Sequence, residues 1–179
     1  RASGAARVVL AAGLLAALAL SAGQGPTGPL TRDEILKAKP DWAAVMEAYR
    51  PRPDVLDRIR TFVKPLAVEI FFGLDSADSR DLVARFFRLH ESLDAGLVTV
   101  KYIAVSADLK SPLADIQARI VESVPTLLVR VDDYELGRII GAPQGSLEEG
   151  IEAILMAYVD PAYIDFNDRE SLRGTKHNT

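Results

Sequence analysis

The stretch LAVEIFFGLDSADSR, residues 66–80, joins a dense apolar run to a polar segment that can open a helix. The run Leu66–Phe72 predicts a core strand, and Gly73 ends it. Backbone N–H groups are free at a helix N-terminus and the helix dipole favours negative charge there, so a reactive group is well placed at such a junction. The chain has no cysteine, so a thiolate is absent from this junction.

The composition of the chain excludes several classes of function. A chain of 179 residues suits one domain with terminal additions, and a hydrophobic content of 49% is enough for a core. The net charge of −4 and the lack of a Lys/Arg block argue against nucleic acid as a partner. The absence of cysteine excludes disulfides, thiolate chemistry and cysteine metal sites.

Residues 1–23 predict an export signal. Arg1 and Arg7 precede the apolar run Val8–Leu20, and small residues follow it. The run is shorter than the ~20 residues that a spanning helix needs, so cleavage is favoured over an uncleaved N-terminal anchor. We therefore expect an exported protein, periplasmic or secreted, that contacts a membrane only through this segment if it is uncleaved.

Residues 24–65 predict a linker and an N-terminal helical extension. The start of this segment is rich in Gly and Pro and predicts a flexible linker. Thr31 and Glu34 have capping-box spacing, so a short helix is expected to begin there. Trp42 and Tyr49 lie on one apolar face of a second helix, and a third helix follows. Core packing is the favoured interpretation of these two aromatic residues, and ligand binding is the alternative.

Residues 66–159 predict one α/β domain, and 160–179 predict a polar C-terminal tail. The final helix is expected at the second capping box, formed by Ser146 and Glu149. The strand–helix–strand start implies parallel pairing with a right-handed crossover, and the closing hairpin adds antiparallel strands. The sequence thus predicts a mixed four-stranded sheet flanked by helices. The predicted elements are strand Leu66–Phe72, helix Ser76 to about Leu93, strand Leu97–Ala104, a helix from Ser111, strand Leu127–Val131, strand Tyr134–Ile140 and the final helix.

Glu69 is the one acidic residue in the first core strand. A carboxylate in such an apolar run is expected either at a solvated end of the strand or in a functional role.

The residues from about Leu66 to Tyr158 resemble the thioredoxin superfamily. The most specific feature is Val124-Pro125-Thr126, which is similar to the cis-proline loop that faces the active site in that family. The segment Gly73–Arg80 is similar to a bacterial subgroup that has Trp-Cys-x-Asp-Ser-Arg at this position. The resemblance implies a thioredoxin-like fold for this part of the chain, and the N-terminal helical extension predicted above precedes it.

On that alignment the active site is degenerate. Asp75 takes the tryptophan position, Ser76 the position of the nucleophilic cysteine, and Ser79 the second cysteine position. The buried acid of the superfamily would fall at Ile70, and Glu69 points to the opposite face of the strand. The degenerate active-site positions are Asp75, Ser76, Ala77, Asp78 and Ser79, and the cis-proline loop is Val124, Pro125 and Thr126.

The loss of sulfur decides the predicted function. Thiol–disulfide exchange needs a thiolate that attacks sulfur, and a serine hydroxyl cannot replace it. The favoured hypothesis is therefore a redox-inactive protein, not an enzyme and without a cofactor. It would bind a peptide or protein partner in the groove between Ser76–Ser79 and Val124-Pro125. One alternative is a relative of the oxidoreductases with residual or partner-supplied redox function. Another is a scaffold that orients the N-terminal helices toward a partner.

Two other chemistries are disfavoured. Ser76 would need a base to act as a nucleophile, but His90 lies fourteen residues further along the same helix, roughly 21 Å away, and His177 is in the tail. Asp75, Asp78 and Asp81 carry oxygen ligands of the kind that a hard cation takes. Stabilisation of the helix start explains these three residues more simply, so no metal site is predicted.

Overall fold

The computed structural model describes residues 25–62, 64–93, 96–143 and 145–159. The predicted leader 1–23 and tail 160–179 lie outside the described residues. Within the described ranges the chain forms five strands and six helices. These are β1 (Gly28–Leu30), α1 (Arg32–Ala38), α2 (Trp42–Ala48), α3 (Pro53–Arg60), β2 (Leu66–Phe72), α4 (Ala77–Ser92), β3 (Val98–Ala104), α5 (Leu113–Arg119), β4 (Thr126–Val131), β5 (Tyr134–Ile140) and α6 (Leu147–Val159).

The strands form one mixed sheet in the order β1-β3-β2-β4-β5. β2 and β3 are parallel and joined by α4, whereas β4 and β5 form an antiparallel hairpin beside β2. This is the βαβ unit followed by a hairpin and a final helix that the resemblance implies. Because β2 and β3 are parallel, their carboxyl ends meet at one edge of the sheet, where loops can build a site.

The prediction of a four-stranded sheet was wrong, because β1 adds a fifth strand. Gly28–Leu30 pairs antiparallel with β3, with Gly28 opposite Ala104. These residues belong to the Gly/Pro-rich segment that was predicted as a linker. A strand of three residues is too short to show an alternating side-chain pattern, so it could not be recognised from the sequence. Gly28 has a φ of 101°, a backbone conformation that glycine adopts without strain.

Helices cover both faces of the sheet, but unequally. The larger core lies on the side of α4 and α6, where Ile70 and Phe72 of β2 are fully buried. A smaller cluster on the other face packs Phe71 and Leu128 against Ile116 of α5. Alternation of side chains along β2 sends residues 68, 70 and 72 to the first face and 69 and 71 to the second.

The N-terminal helices pack on the α4–α6 side. α2 lies against α4 and α3 against α6. Trp42 is 2% exposed, and its ring makes an edge contact with Phe72 at 5.9 Å between centroids. Core packing is therefore its role. Thr31 and Glu34 form the predicted capping box, which starts α1.

Candidate functional site

Ser76 occupies the N-cap of α4. Its hydroxyl accepts a hydrogen bond from the backbone N–H of Ser79 at 3.2 Å, and its carbonyl accepts one from the N–H of Arg80 at 3.0 Å. A serine favours this position because its short side chain satisfies a donor that the first helical turn leaves unpaired. The Ser76 side chain is therefore already engaged in starting the helix.

Ser79 lies behind the helix start. It is fully buried, and its hydroxyl oxygen accepts a hydrogen bond from the backbone N–H of Gly73 at 3.1 Å. This bond ties the first turn of α4 to the loop that leaves β2. The second degenerate position is thus a buried structural residue rather than part of the open surface.

The loop before β4 is held from both sides. The Val124–Pro125 peptide bond is cis. The Thr126 hydroxyl donates to the carbonyl of Ser123 at 2.8 Å, and the N–H of Gly141 donates to the carbonyl of Pro125 at 2.8 Å. Among the described residues, the backbone N–H and C=O of Val124 have no hydrogen-bond partner. The loop thereby offers one donor and one acceptor on a fixed piece of backbone.

Gly73 brings the two halves of the site together. A Cβ atom placed on Gly73 would lie 3.5 Å from Cγ2 of Val124 and 3.7 Å from Cβ of Ser76. The loop after β2, the start of α4 and the cis-proline loop are therefore in van der Waals reach of one another. A residue without a side chain at position 73 leaves this junction open.

A cleft of about 310 Å³ opens at this junction. Its walls combine apolar side chains with hydroxyls and one carboxylate. The lining residues are Gly25, Pro26, Thr27, Gly73, Leu74, Asp75, Ser76, Val105, Ser106, Ala107 and Val124.

The predicted site residues fall into three groups. Asp75, Ser76 and Val124 line the cleft. Ala77 borders a second, shallower depression of about 230 Å³ next to it, which Lys39 and Trp42 also line. The other predicted residues do not line the cleft: Asp78 is exposed on α4, and Ser79, Pro125 and Thr126 are buried.

Two parts of the cleft wall were missed from the sequence. Val105, Ser106 and Ala107 follow β3, and parallel pairing with β2 puts them beside Gly73, which the predicted βαβ unit could have indicated. The segment 25–27 reaches the cleft because β1 pairs with β3, and no sequence pattern predicted that strand. The Thr27 hydroxyl lies 3.0 Å from the Ser111 hydroxyl, which fastens this segment to the loop before α5.

Asp75, the charged residue of the cleft lining, and Asp81 of α4 are both paired at the surface. The Asp75 side chain is 84% exposed and forms an ion pair with Nζ of Lys39 at 2.6 Å. Asp81 lies 3.2 Å from Nε of Arg80. Across the part of the chain that the structure describes, no three His, Cys, Asp or Glu residues lie close enough together to hold a metal ion.

Within the described ranges, no histidine lies beside Ser76 to act as its base. His90 lies near the far end of α4, where its Nε2 is 3.2 Å from the carbonyl oxygen of Val98. His177 lies outside the described residues. The hydroxyl of Ser76 is thus placed for capping and for polar contact in the cleft.

Glu69 does not belong to this cleft, and the expectation of a solvated strand end was wrong. It is 7% exposed, lies in the middle of β2 on the face opposite Ile70, and receives a hydrogen bond from Arg119 at 3.0 Å. The Arg119 guanidinium holds the pKa of the Glu69 carboxyl below its usual range. A buried carboxylate persists here because an arginine pairs with it.

Comparisons with known proteins give remote similarities in fold. No family model matches the chain, and no curated protein matches it. Among solved structures, a Pseudomonas aeruginosa protein of unknown function is 18% identical, with 70% of this chain and 74% of that one covered and a TM-score of 0.47. Thioredoxin f2 of Chlamydomonas reinhardtii is 13% identical, with 55% and 82% covered and a TM-score of 0.40. The thioredoxin of Aeropyrum pernix is 14% identical, with 58% and 84% covered and a TM-score of 0.39.

With identities below 20% and TM-scores below 0.5, these similarities are too remote to assign a site or a function. The chain combines a βαβ unit, an antiparallel hairpin and a final helix around one mixed sheet, and it has no cysteine. In the ranges that the structure describes, the helices are all too short or too polar to cross a membrane.

Proposed function

We propose that this protein is a redox-inactive thioredoxin-like protein that binds an extended peptide or protein segment in the cleft between Ser76 and Val124. The observation that carries the proposal is at the edge of an open cleft, where the backbone N–H and C=O of Val124 have no hydrogen-bond partner among the described residues. An extended segment that lies antiparallel to this loop can accept from the Val124 N–H and donate to its C=O. This is the way in which strand addition gains affinity.

The lining of the cleft fits such a segment. Leu74, Val105 and Val124 supply apolar surface for a side chain, while Thr27, Ser76 and Ser106 add polar residues to the same walls. Alternate side chains of an extended segment point in opposite directions, so one can enter the cleft while the next faces solvent. Backbone pairing then gives affinity, and the cleft selects the side chain.

Recognition here would be purely non-covalent. Oxidoreductases of this fold capture their substrates through a mixed disulfide, which needs a thiolate on the protein. Ser76 and Ser79 have no sulfur, and their hydroxyls accept hydrogen bonds within the chain. Binding by this cleft should therefore be reversible and insensitive to reductant.

We further propose that the protein works outside the cytoplasm, in the periplasm or as a secreted protein. The support is the sequence of residues 1–23, with two arginines ahead of an apolar run. An envelope or secreted location would make exposed segments of other exported proteins the available partners.

An insulin-reduction assay with dithiothreitol, run beside a binding assay, tests the proposal. The binding assay measures the affinity of the full chain for an unfolded protein whose cysteines have been reduced and alkylated. We expect insulin to be reduced no faster than in buffer, together with saturable binding of the alkylated protein with and without dithiothreitol. Insulin reduction above background would instead favour the alternative of residual redox function, and no binding would remove the proposal.

A further inference from the structure

A second cavity lies at the opposite end of the sheet from the cleft. It has a volume of about 380 Å³ and lies over the part of β2, β3 and β4 that α5 leaves uncovered. Seven of its ten lining residues are polar or charged, in contrast to the apolar cluster around Ile116 on the same face. The lining residues are Ala67, Val68, Glu69, Thr99, Val100, Lys101, Arg119, Arg130, Asp132 and Asp133.

One of the charges in this cavity is already matched. The Glu69 carboxylate accepts a hydrogen bond from Nη2 of Arg119 at 3.0 Å and is 7% exposed. Nη1 of Arg130 forms a second ion pair with the same carboxylate at 3.5 Å. Glu69 thus has two cationic partners, and together they carry one positive charge more than the carboxylate offsets.

Positive charge is left over on the floor of the cavity. Arg130 is 8% exposed, and its Nη2 donates to the carbonyl of Asp133 at 2.7 Å. Its Nε is buried and has no hydrogen-bond partner among the residues that the structure describes. Lys101 stands opposite Glu69 in the β2–β3 register, yet in the same part of the chain no carboxylate lies within 4.0 Å of its Nζ.

Negative charge gathers at one rim instead. Asp132 and Asp133 form the turn between β4 and β5, and both are exposed. Asp132 has a φ of 51°, and the short side chain of Asp tolerates this left-handed conformation at a turn. Within the described residues, neither carboxylate has an ion-pair partner within 4.0 Å. The three cationic and three anionic side chains of the lining thus cancel in sum, but Glu69 is the one anion on the floor among the cations, and the other two, Asp132 and Asp133, lie at the rim.

We propose that this cavity binds a small zwitterion. The anionic group of the ligand would lie over Lys101 and Arg130, and its cationic group would face Asp132 and Asp133. A simple anion would gain the contacts to the floor but be repelled by the rim, whereas a zwitterion matches both signs. The volume is at the lower end of the ~300–1,000 Å³ range for small-molecule sites, so a compact ligand is expected.

The site is separate from the cleft. Lys101 lies opposite the middle of β2, and the Asp132-Asp133 turn follows the end of β4. The cleft, in contrast, lies after the carboxyl ends of β2 and β3. Peptide binding in the cleft and zwitterion binding in this cavity can therefore be measured separately. A substitution that abolishes one should leave the other intact.

The test is an NMR titration of the ¹⁵N-labelled full chain at constant ionic strength. The zwitterionic probes are glycine, β-alanine and 4-aminobutyrate, and the probes with one charge are acetate and methylammonium. We expect saturable shifts at the amides of Lys101, Arg130 and Asp132 with at least one zwitterion, with an affinity at least ~10-fold higher than for acetate or methylammonium.

Charge-removing variants test which side chains contact each end of the zwitterion. Lys101→Gln and Asp133→Asn should each weaken binding of the best zwitterion by at least ~5-fold, because each removes one end of the charge match. Lys37→Gln and Asp33→Asn make the same changes on exposed positions of α1 and should leave the affinity unchanged. The proposal is overturned if no zwitterion gives a saturable shift, if acetate binds as tightly, or if neither cavity variant weakens binding.

Discussion

The buried hydroxyl of Ser79 accepts a hydrogen bond from the backbone N–H of Gly73, six residues earlier, at 3.1 Å. This contact fixes the loop between β2 and α4, and so it sets the position of Ser76 at the edge of the cleft. At the position that the resemblance aligns with the second cysteine of an oxidoreductase, this chain has a residue whose oxygen organises the backbone.

Removing that oxygen should destabilise the protein. The Ser79→Ala variant leaves the N–H of Gly73 without its acceptor in a part-buried position, which costs about 1–3 kcal/mol. Urea unfolding followed by circular dichroism measures the loss. The control is Ser123→Ala, at an exposed serine, which should change the free energy of unfolding by less than about 0.5 kcal/mol. Equal stability of the two variants would mean that the bond to Gly73 has no structural importance.

Cysteines placed at the two serine positions should differ sharply in reactivity. Ser76 is half-buried at the cleft and caps a helix, where the free N–H groups lower the pKa of a thiol. Ser79 is fully buried. In native buffer we expect iodoacetamide to alkylate the Ser76→Cys variant at least ~10-fold faster than Ser79→Cys, measured by mass spectrometry. The two rates should converge in denaturant, and similar rates in native buffer would place Ser79 at the surface.

Much of the fold could be predicted because it depends on local patterns. Periodicity located four of the five strands, and the spacing of Thr31 with Glu34 located the start of α1. β1 could not be predicted because its three residues are specified by pairing with β3 and not by their own side chains. The same pairing brings residues 25–27 to the cleft, so that wall was missed as well.

The site was predicted only in part, because the tertiary fold decides which side chains are exposed. Alignment with the thioredoxin pattern named Ser76 and Ser79 as equivalent positions of one site. The helix turns between them, and only Ser76 faces the cleft while Ser79 faces the core. The burial of Glu69 was missed for a similar reason, since its partner Arg119 is fifty residues away in sequence.

Tyr49 joins the N-terminal helices to the start of α6. Its hydroxyl donates to the buried carboxylate of Glu148 and accepts from the N–H of Leu147 at 3.1 Å. The Tyr49→Phe variant leaves both groups short of a partner, and we expect a loss of about 2 kcal/mol in thermal or urea unfolding. Tyr158→Phe removes a hydroxyl that, among the described residues, accepts a hydrogen bond from Lys64 at the surface, and this variant should be close to neutral.

Tyr102 should make the protein less stable in base. Its side chain is 8% exposed, and burial raises the pKa of Tyr102 well above its ordinary value of 10. In the unfolded chain this phenol ionises near pH 10, so above that pH the unfolded state has lost a proton that the folded state keeps. The free energy of unfolding should therefore fall as pH rises past about 10, with a contribution from Tyr102 of at most about 1.4 kcal/mol per pH unit.

Urea titrations between pH 9 and pH 11.5 measure this slope. The Tyr102→Phe variant should show a shallower fall than the parent chain. Tyr134→Phe removes a phenol that is 77% exposed and should leave the slope unchanged. The same slope in all three proteins would contradict the burial of the Tyr102 phenol.

The most direct test of peptide binding is an NMR titration of the ¹⁵N-labelled full chain with cysteine-free extended peptides. A variant that fills the cleft, Ala107→Phe, and a matched variant at an exposed alanine of α2, Ala44→Phe, are compared with the parent. We predict saturable shifts at the amides of Gly73, Ser76 and Val124 that Ala107→Phe abolishes and Ala44→Phe preserves. Shifts that are absent from these three amides, or that survive in Ala107→Phe, would contradict binding in the cleft.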